Sequence, residues 1–264
     1  MANNQFLIID PQNDFAHPDG QLFVTGADKD VARLAVMLQR HLDKIDQIHV
    51  TLDSHHWVHI AHPIFWQNSQ GQHPAPFTTI TLEAVLSEQW RTTNVQNQQR
   101  ALNYLMALKN NQRYNLTIWP PHCLIGQPGH NVVAPLIPVL NQWENNYAVV
   151  NYILKGSNCW TEHYSAIKAD VPDVADPKTQ LNVDLITTLQ QADLIAISGQ
   201  ALSHCVANTV RDIADNMGEE NIHKLVLIED TTSSVPGFEA LGEQFLIEMQ
   251  KRGMKTAKST DLLV

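Results

Sequence analysis

Short, nearly continuous runs of apolar residues recur along the chain, and many of their side chains are β-branched. The clearest runs occupy residues 6–9, 48–52, 149–154, 194–198 and 225–228. Runs of this kind are typical of strands that are buried on both faces, as in a parallel sheet. Apolar residues at helical spacing fill the segments 32–42, 206–217 and 237–249. Because strands alternate with helices, the pattern predicts an α/β fold with a mostly parallel sheet.

Residues from about 63 to 115 interrupt this alternation. The segment begins with proline and aromatic residues and ends in a Gln- and Asn-rich, helical-looking stretch at 93–111. It carries too much pattern for a disordered linker. We interpret it as an insertion between core strands, folded onto a single domain that comprises residues 1–264.

Composition narrows the class of protein. With 264 residues, 44% of them hydrophobic, the chain can bury a sizeable core without disulfide bonds. Three cysteines are an odd, low number that suits a reducing compartment. A net charge of −10 argues against nucleic acid or an anionic membrane as partner. With no export signal and no long apolar run, we expect a cytoplasmic protein with a small-molecule substrate or a protein partner.

Reactive side chains follow several of the predicted strands. Asp10 follows the run at 6–9, Asp53 the run at 48–52 and Lys155 the run at 149–154, and the run at 194–198 leads through Gly199 to Cys205. In open α/β sheets, ligands bind at the carboxyl ends of the strands. This convergence predicts a catalytic site better than any single residue does.

Each of these residues also has an ordinary structural explanation. A lone cysteine is usually an inert apolar residue, Asp10 could cap a turn, and Lys155 could lie on the surface. Cys205 is favoured as a nucleophile because the start of a helix would lower its thiol pKa. Cys123 and Cys159 have no such feature and are taken as inert.

Histidines are numerous, 13 in all, and four acid or histidine side chains suggest a metal site. Asp53, His55 and His59 share one loop, and His122 follows a short strand predicted at 116–118. One carboxylate with three imidazoles is a suitable ligand set for Zn²⁺, Fe²⁺ or Mn²⁺. Two further histidines are near enough in sequence to replace one of them: His56 and His62.

Together, these segments resemble the isochorismatase-like cysteine hydrolases and, within that family, the nicotinamidases. The matching segments fall in chain order: DPQNDF at 10–15, TLDSHHWVH at 51–59, WPPHCLIGQPG at 119–129, the lysine segment at 155–166, and GQALSHCVANT at 199–209. The resemblance implies a three-layer α/β/α fold around a six-stranded, mostly parallel sheet. It also implies a cis peptide bond between Gln200 and Ala201.

The resemblance assigns roles to individual residues. It implies a catalytic Asp10, Lys155 and Cys205, with the backbone amides of Ala201 and Cys205 as the oxyanion hole. It implies a divalent metal ion, Zn, Fe or Mn, held by four ligands: Asp53, His55, His59 and His122. It implies a substrate pocket walled by three aromatic residues: Phe15, Trp119 and Tyr164.

The activity that the resemblance implies is hydrolysis of nicotinamide to nicotinate and ammonia through a thioester on Cys205, by a homo-oligomer. Ser203 and His163 stand where many relatives have aspartate, and the insertion at 63–115 is long. These departures leave the exact amide open. Alternatives are a metal-free amidase for a carbamoyl or ureido compound, a less favoured vinyl-ether hydrolase of the isochorismatase type, and a non-catalytic metal- or ligand-binding protein.

Overall fold

A computed structural model describes residues 2–263 of the chain. The strands are β1 (Asn4–Ile9), β2 (Gln47–Asp53), β3 (Trp66–Gln67), β4 (Thr79–Ile80), β5 (Arg91–Thr92), β6 (Leu116–Thr117), β7 (Asn151–Lys155), β8 (Leu194–Gly199), β9 (Leu225–Ile228) and β10 (Lys255–Ala257). The helices are α1 (Asn13–Ala16), α2 (Ala27–Arg40), α3 (Leu82–Leu86), α4 (Gln98–Asn111), α5 (Ile137–Glu144), α6 (Val183–Gln190), α7 (Ala207–Met217) and α8 (Glu239–Lys251).

Six strands form the main sheet, in the order β10-β9-β8-β1-β2-β7, and every pair is parallel. Helix α2 contacts α5, whereas α7 contacts both α6 and α8. The prediction of an α/β/α fold with a six-stranded parallel sheet is therefore confirmed. None of the helices within residues 2–263 is both long and apolar enough to cross a membrane.

Strand β1 lies in the middle of the sheet, between β2 and β8. Its apolar residues 6–9 are completely buried, as a nearly continuous apolar run predicts. Phe6 is in register with Ile48 on β2 and with Ala196 on β8. Because all strands run in the same direction, their carboxyl ends meet at one edge of the sheet.

Two expectations about strands were wrong. The run at 149–154 was read as buried on both faces, but β7 is an edge strand on which Tyr152 and Leu154 are 46% and 63% exposed. The strand at 116–118 does not enter the main sheet, because β6 pairs antiparallel with β4 instead. The sixth strand of the main sheet is β10, a short segment at 255–257 with little apolar character.

The segment at 63–115 folds into small elements beside the main sheet. It contains α3, α4 and the antiparallel pair β3–β5, and its β4 pairs with β6 just beyond it. One face of α4 is buried through Ala101, Tyr104, Leu105 and Leu108. The Tyr104 hydroxyl accepts a hydrogen bond from the Glu162 amide at 3.3 Å. The segment thus contacts the loop that follows β7.

Candidate active site

Three charged side chains meet at the carboxyl ends of β1, β2 and β7. Asp10, Asp53 and Lys155 are each at most 4% exposed. Asp53 and Lys155 are register partners on neighbouring strands. The Lys155 ammonium lies 2.9 Å from Asp10 Oδ2 and 3.1 Å from Asp53 Oδ1, and it donates to the His163 carbonyl at 3.0 Å. The parallel sheet brings these three predicted residues together.

The Asp10 carboxyl group is held by Thr51 on β2. The Thr51 hydroxyl donates to Asp10 Oδ1 at 2.5 Å and accepts from the Asp10 amide at 3.0 Å. Oδ2 faces Lys155 but receives no well-aligned hydrogen bond from residues 2–263. Burial raises the pKa of Asp10, and the nearby positive charge of Lys155 only partly opposes this. A carboxylate with a raised pKa is suited to accept and return a proton.

Cys205 lies beside this ion pair, in a π-helical turn at Leu202–Val206 that leads into α7. Its Sγ atom is 3.6 Å from Lys155 Nζ. The expectation of a lowered thiol pKa was wrong: burial raises the pKa of Cys205 well above its usual value, and the charge of Lys155 does not compensate. A raised thiol pKa favours the neutral thiol, so attack calls for a base that removes its proton.

The turn before Cys205 has the backbone form that the resemblance implied. The Gln200–Ala201 peptide bond is cis. The Ala201 carbonyl accepts from the amides of His204 and Val206 at 3.0 and 3.1 Å. Within residues 2–263, no acceptor is bonded to the Ala201 N–H. This amide is therefore available as a donor close to the thiol.

Asp53, His55 and His122 form a buried group whose possible ligand atoms all lie within 4.8 Å of one another. The Nε2 atoms of His55 and His122 lie 3.0 and 3.4 Å from Asp53 Oδ2. Their Nδ1 atoms lie 3.1 and 2.9 Å from the carbonyls of Gly156 and Pro120. Carbonyl partners at Nδ1 place the proton there and leave Nε2 as a metal ligand. The donor set fits a divalent ion such as Zn²⁺.

The fourth expected ligand, His59, lies outside this group. Its ring lies tilted against that of His55, with centroids 4.4 Å apart, but both of its nitrogens are in hydrogen bonds. Nε2 is 3.2 Å from the Thr161 carbonyl, and Nδ1 accepts from the Ala61 amide at 3.2 Å. The two possible substitutes differ, since His56 is exposed and His62 is buried. His62 Nε2 has no partner within residues 2–263.

A small cavity of about 30 Å³ lies between Cys205 and the Asp53 group. The three predicted aromatic residues line it, and the Trp119 indole donates to the Tyr164 hydroxyl at 2.9 Å. Its other lining residues are Leu22, His122, Glu162, Ala201, His204 and Val235. The cavity is small, and five of its eleven lining residues carry an aromatic ring.

Four of these lining residues were not predicted, namely Leu22, Glu162, His204 and Val235, and two of the four are polar, Glu162 and His204. The His204 ring contacts Trp119 and Tyr164 at centroid distances of 5.3 and 5.2 Å. Its position next to Cys205 is the signal that could have identified it. Glu162 has a buried Oε2 atom without a partner within residues 2–263, and burial raises its pKa. No sequence pattern marks Glu162.

Comparisons with known proteins identify the fold. No family model and no curated protein sequence matches the chain. The Acinetobacter baumanii nicotinamidase/pyrazinamidase is a similar solved structure, with a TM-score of 0.68, 24% identity, and coverage of 100% of this chain and 99% of that one. The yeast nicotinamidase Pnc1p bound to the inhibitor nicotinaldehyde is another, with a TM-score of 0.67, 18% identity, and coverage of 97% and 99%.

A third similar structure is a Pyrococcus horikoshii pyrazinamidase in complex with zinc, with a TM-score of 0.59, 20% identity, and coverage of 97% of this chain and 99% of that one. All three alignments extend over nearly the whole of both chains, so the similarity is not confined to the sheet. The chain therefore has the fold of the nicotinamidases and pyrazinamidases.

Proposed function

We propose that the chain is a cysteine-dependent amidohydrolase of the isochorismatase-like family, and that it hydrolyses nicotinamide to nicotinate and ammonia. One observation carries the proposal: the buried Lys155 Nζ lies 2.9 Å from Asp10 and 3.6 Å from the thiol of Cys205, which lines the cavity. An acid, a base and a nucleophile in contact are what amide cleavage through a covalent intermediate requires.

The first step transfers the thiol proton to Asp10 while Cys205 Sγ attacks the amide carbonyl carbon. Because burial raises the pKa of Cys205, a free thiolate is a minor species and proton transfer accompanies attack. The positive charge of Lys155 stabilises the negative charge that develops on sulfur. The available N–H of Ala201, with that of Cys205, stabilises the oxyanion.

The second step expels the amine. Asp10 returns its proton to the leaving nitrogen, so ammonia departs and a thioester remains on Cys205. Asp10 then takes a proton from a water molecule while the oxygen of that water attacks the thioester carbon. The carboxylic acid leaves, and Cys205 recovers its proton.

The metal ion is assigned to Asp53, His55 and His122. His62 Nε2, which has no hydrogen-bond partner within residues 2–263, is the candidate for a fourth ligand. When bound, it supplies a Lewis acid for the ring nitrogen of the substrate. The cavity walls favour a flat aromatic amide over a flexible ureido compound, because Trp119, Tyr164 and His204 enclose a narrow space. The zinc in the Pyrococcus pyrazinamidase supports this assignment.

The test is ammonia release from nicotinamide by purified protein, with metal content measured on the same sample. Cys205→Ala should lose turnover by more than about a thousandfold, since the nucleophile is absent. Cys159→Ala is the matched control, because Cys159 is a half-buried free cysteine outside the cavity lining. It should keep wild-type turnover.

The outcomes separate the alternatives. Turnover that falls on chelation and returns with added Zn²⁺ supports the metal-dependent nicotinamidase. Turnover of a ureido compound that is indifferent to chelation would favour the metal-free amidase, and full turnover by Cys205→Ala would remove the mechanism. The homo-oligomer and the cytoplasmic location stay predictions.

A further inference from the structure

Gln12 is a completely buried side chain that does not line the cavity. Its side-chain amide forms hydrogen bonds with both the N–H and the carbonyl of Asp53. Gln12 Nε2 donates to the Asp53 carbonyl at 2.7 Å, and Gln12 Oε1 accepts from the Asp53 amide at 2.7 Å. Nε2 also donates to the His130 carbonyl at 2.9 Å. All three hydrogen bonds of the Gln12 side chain are therefore made to main-chain atoms.

Asp14, two residues further on, holds a second backbone segment. Its Oδ2 accepts from the Cys123 amide at 2.6 Å, and its Oδ1 accepts from the Gln21 amide at 3.0 Å. Cys123 directly follows His122 in the chain. The Cys123 carbonyl in turn accepts from the His55 amide at 3.0 Å. The carboxylate of Asp14 thus fixes the main chain that carries His122 and, through it, that of His55.

From these contacts we propose that Gln12 and Asp14 are positioning residues for the metal ligands. Gln12 sets the direction in which the Asp53 carboxylate projects, and Asp14 sets the separation between His55 and His122. The proposal rests on the metal site of the proposed function. Partners that orient ligands commonly change metal affinity by about 10- to 100-fold when they are removed.

The arrangement has a consequence for the whole site. Asp10, Gln12 and Asp14 belong to one segment of five residues directly after β1. The proton-transferring carboxylate and both backbone clamps are therefore fixed by the same piece of chain.

The test measures Zn²⁺ affinity alone, by competition with a coloured chelator, on metal-stripped protein and without substrate. Gln12→Met keeps the side-chain length but removes every hydrogen bond. We expect its Zn²⁺ dissociation constant to rise by about 10- to 100-fold. Gln5→Met is the matched control, since Gln5 is also completely buried and donates to a main-chain carbonyl, that of Thr188, away from the site. Its dissociation constant should stay within about twofold of wild type.

Gly129→Ala provides a second variant, in case Gln12→Met fails to fold. A Cβ at this position would overlap the Asp14 carboxylate, so the side chain must move away. Asp14→Asn retains an oxygen acceptor for the Cys123 amide, and it should bind Zn²⁺ more tightly than Asp14→Ala does. A merely structural role would lower Tm in all of these variants and leave Zn²⁺ affinity unchanged.

The results distinguish this proposal from the proposed reaction. If the wild type binds Zn²⁺ and Gln12→Met lowers the Zn²⁺ affinity, the positioning role of Gln12 is supported whether or not the protein hydrolyses nicotinamide. Equal Zn²⁺ affinity in wild type, Gln12→Met and Gly129→Ala would overturn it. Wild-type Zn²⁺ binding no tighter than that of Asp53→Ala would also overturn it, since no site would exist to be positioned.

Discussion

At the scale of single residues, the centre of the site is a lysine that the fold has removed from water. Burial alone would lower the pKa of Lys155, but the carboxylates of Asp10 and Asp53 hold it well above its usual value. The same charge, together with His55, keeps the pKa of Asp53 well below its usual value despite burial. Lys155 thus remains a cation and lies between the proposed nucleophile, Cys205, and the proposed metal ligand Asp53.

Removing this cation should affect both stability and catalysis. Lys155→Met leaves two buried carboxylates without their shared partner, which costs about 3–5 kcal/mol in the free energy of unfolding. Ammonia release should fall by at least about a hundredfold, since Asp10 loses its orientation. Urea unfolding and steady-state rates measure these effects. Lys168→Met is the control, because Lys168 is 37% exposed and lies 3.7 Å from Asp212; an equal loss in both variants would contradict the role of Lys155.

Gly156, the next residue, allows a second test at this scale. Its φ is +82°, and a Cβ would lie 2.7 Å from Asp53 Oδ1 and 2.9 Å from His55 Cε1. Gly156→Ala should therefore displace two of the proposed metal ligands and weaken Zn²⁺ binding by at least about tenfold, measured by chelator competition. Gly253→Ala has a comparable backbone cost at φ +107° with no atom within 4 Å of its Cβ. If both variants bind Zn²⁺ like the wild type, Gly156 does not protect the ligand geometry.

Sequence reasoning singled out Asp10, Lys155 and Cys205 because each was expected near the carboxyl end of a strand of one parallel sheet, and the structure brings their side chains together. It could not choose between His59 and His62, since the choice depends on hydrogen bonds from distant backbone. The Thr161 carbonyl is the hydrogen-bond partner of His59 Nε2, and the two residues are 102 positions apart in the chain. The thiol pKa also could not be inferred, because it depends on complete burial rather than on the helix start alone.

At the scale of elements, hydrophobic runs located the strands but not their neighbours. Strand β9 was predicted at 225–228 and lies there, whereas β7 was expected to be buried and lies at the edge. An apolar run looks the same whether one or two strands flank it. Strand β10 escaped prediction because Lys255 and Thr256 carry no apolar signal, and only pairing with β9 makes this segment a strand.

The difference between edge and centre predicts different costs for similar substitutions. Ile197 on β8 is completely buried, so Ile197→Ala should lower the free energy of unfolding by about 2–5 kcal/mol. Leu154 on β7 is 63% exposed, so Leu154→Ala should cost less than about 1 kcal/mol. Urea unfolding of the two variants measures the costs. A loss at Leu154 as large as that at Ile197 would show that the edge of β7 is covered in solution.

At the scale of the whole molecule, buried histidines should make the protein sensitive to acid. Burial lowers the pKa of His49 from 6.5 to about 4, and that of His204 likewise. Between these values the unfolded chain binds a proton that the folded chain does not. The stabilisation is therefore complete above about pH 6.5 and is lost as pH falls toward 4, by about 1.4 kcal/mol per pH unit for each histidine.

Urea unfolding at several pH values tests this through His49→Gln. The glutamine amide retains a polar group between Gln5 and Asn151, the two partners of the His49 ring. Between pH 6.5 and 4, the slope of the free energy of unfolding against pH should fall by about 1.4 kcal/mol per pH unit, which corresponds to one proton. An unchanged slope would mean that His49 is protonated in the folded protein.

The covalent intermediate is the central claim, and trapping it is the most direct test. Protein mixed with nicotinamide is quenched in acid during turnover, digested and mapped by mass spectrometry. We predict a nicotinoyl group on the peptide that contains Cys205, and none on the peptides of Cys123 or Cys159. Turnover that proceeds with no acyl group on Cys205 at any quench time, and that survives Cys205→Ala, would contradict it.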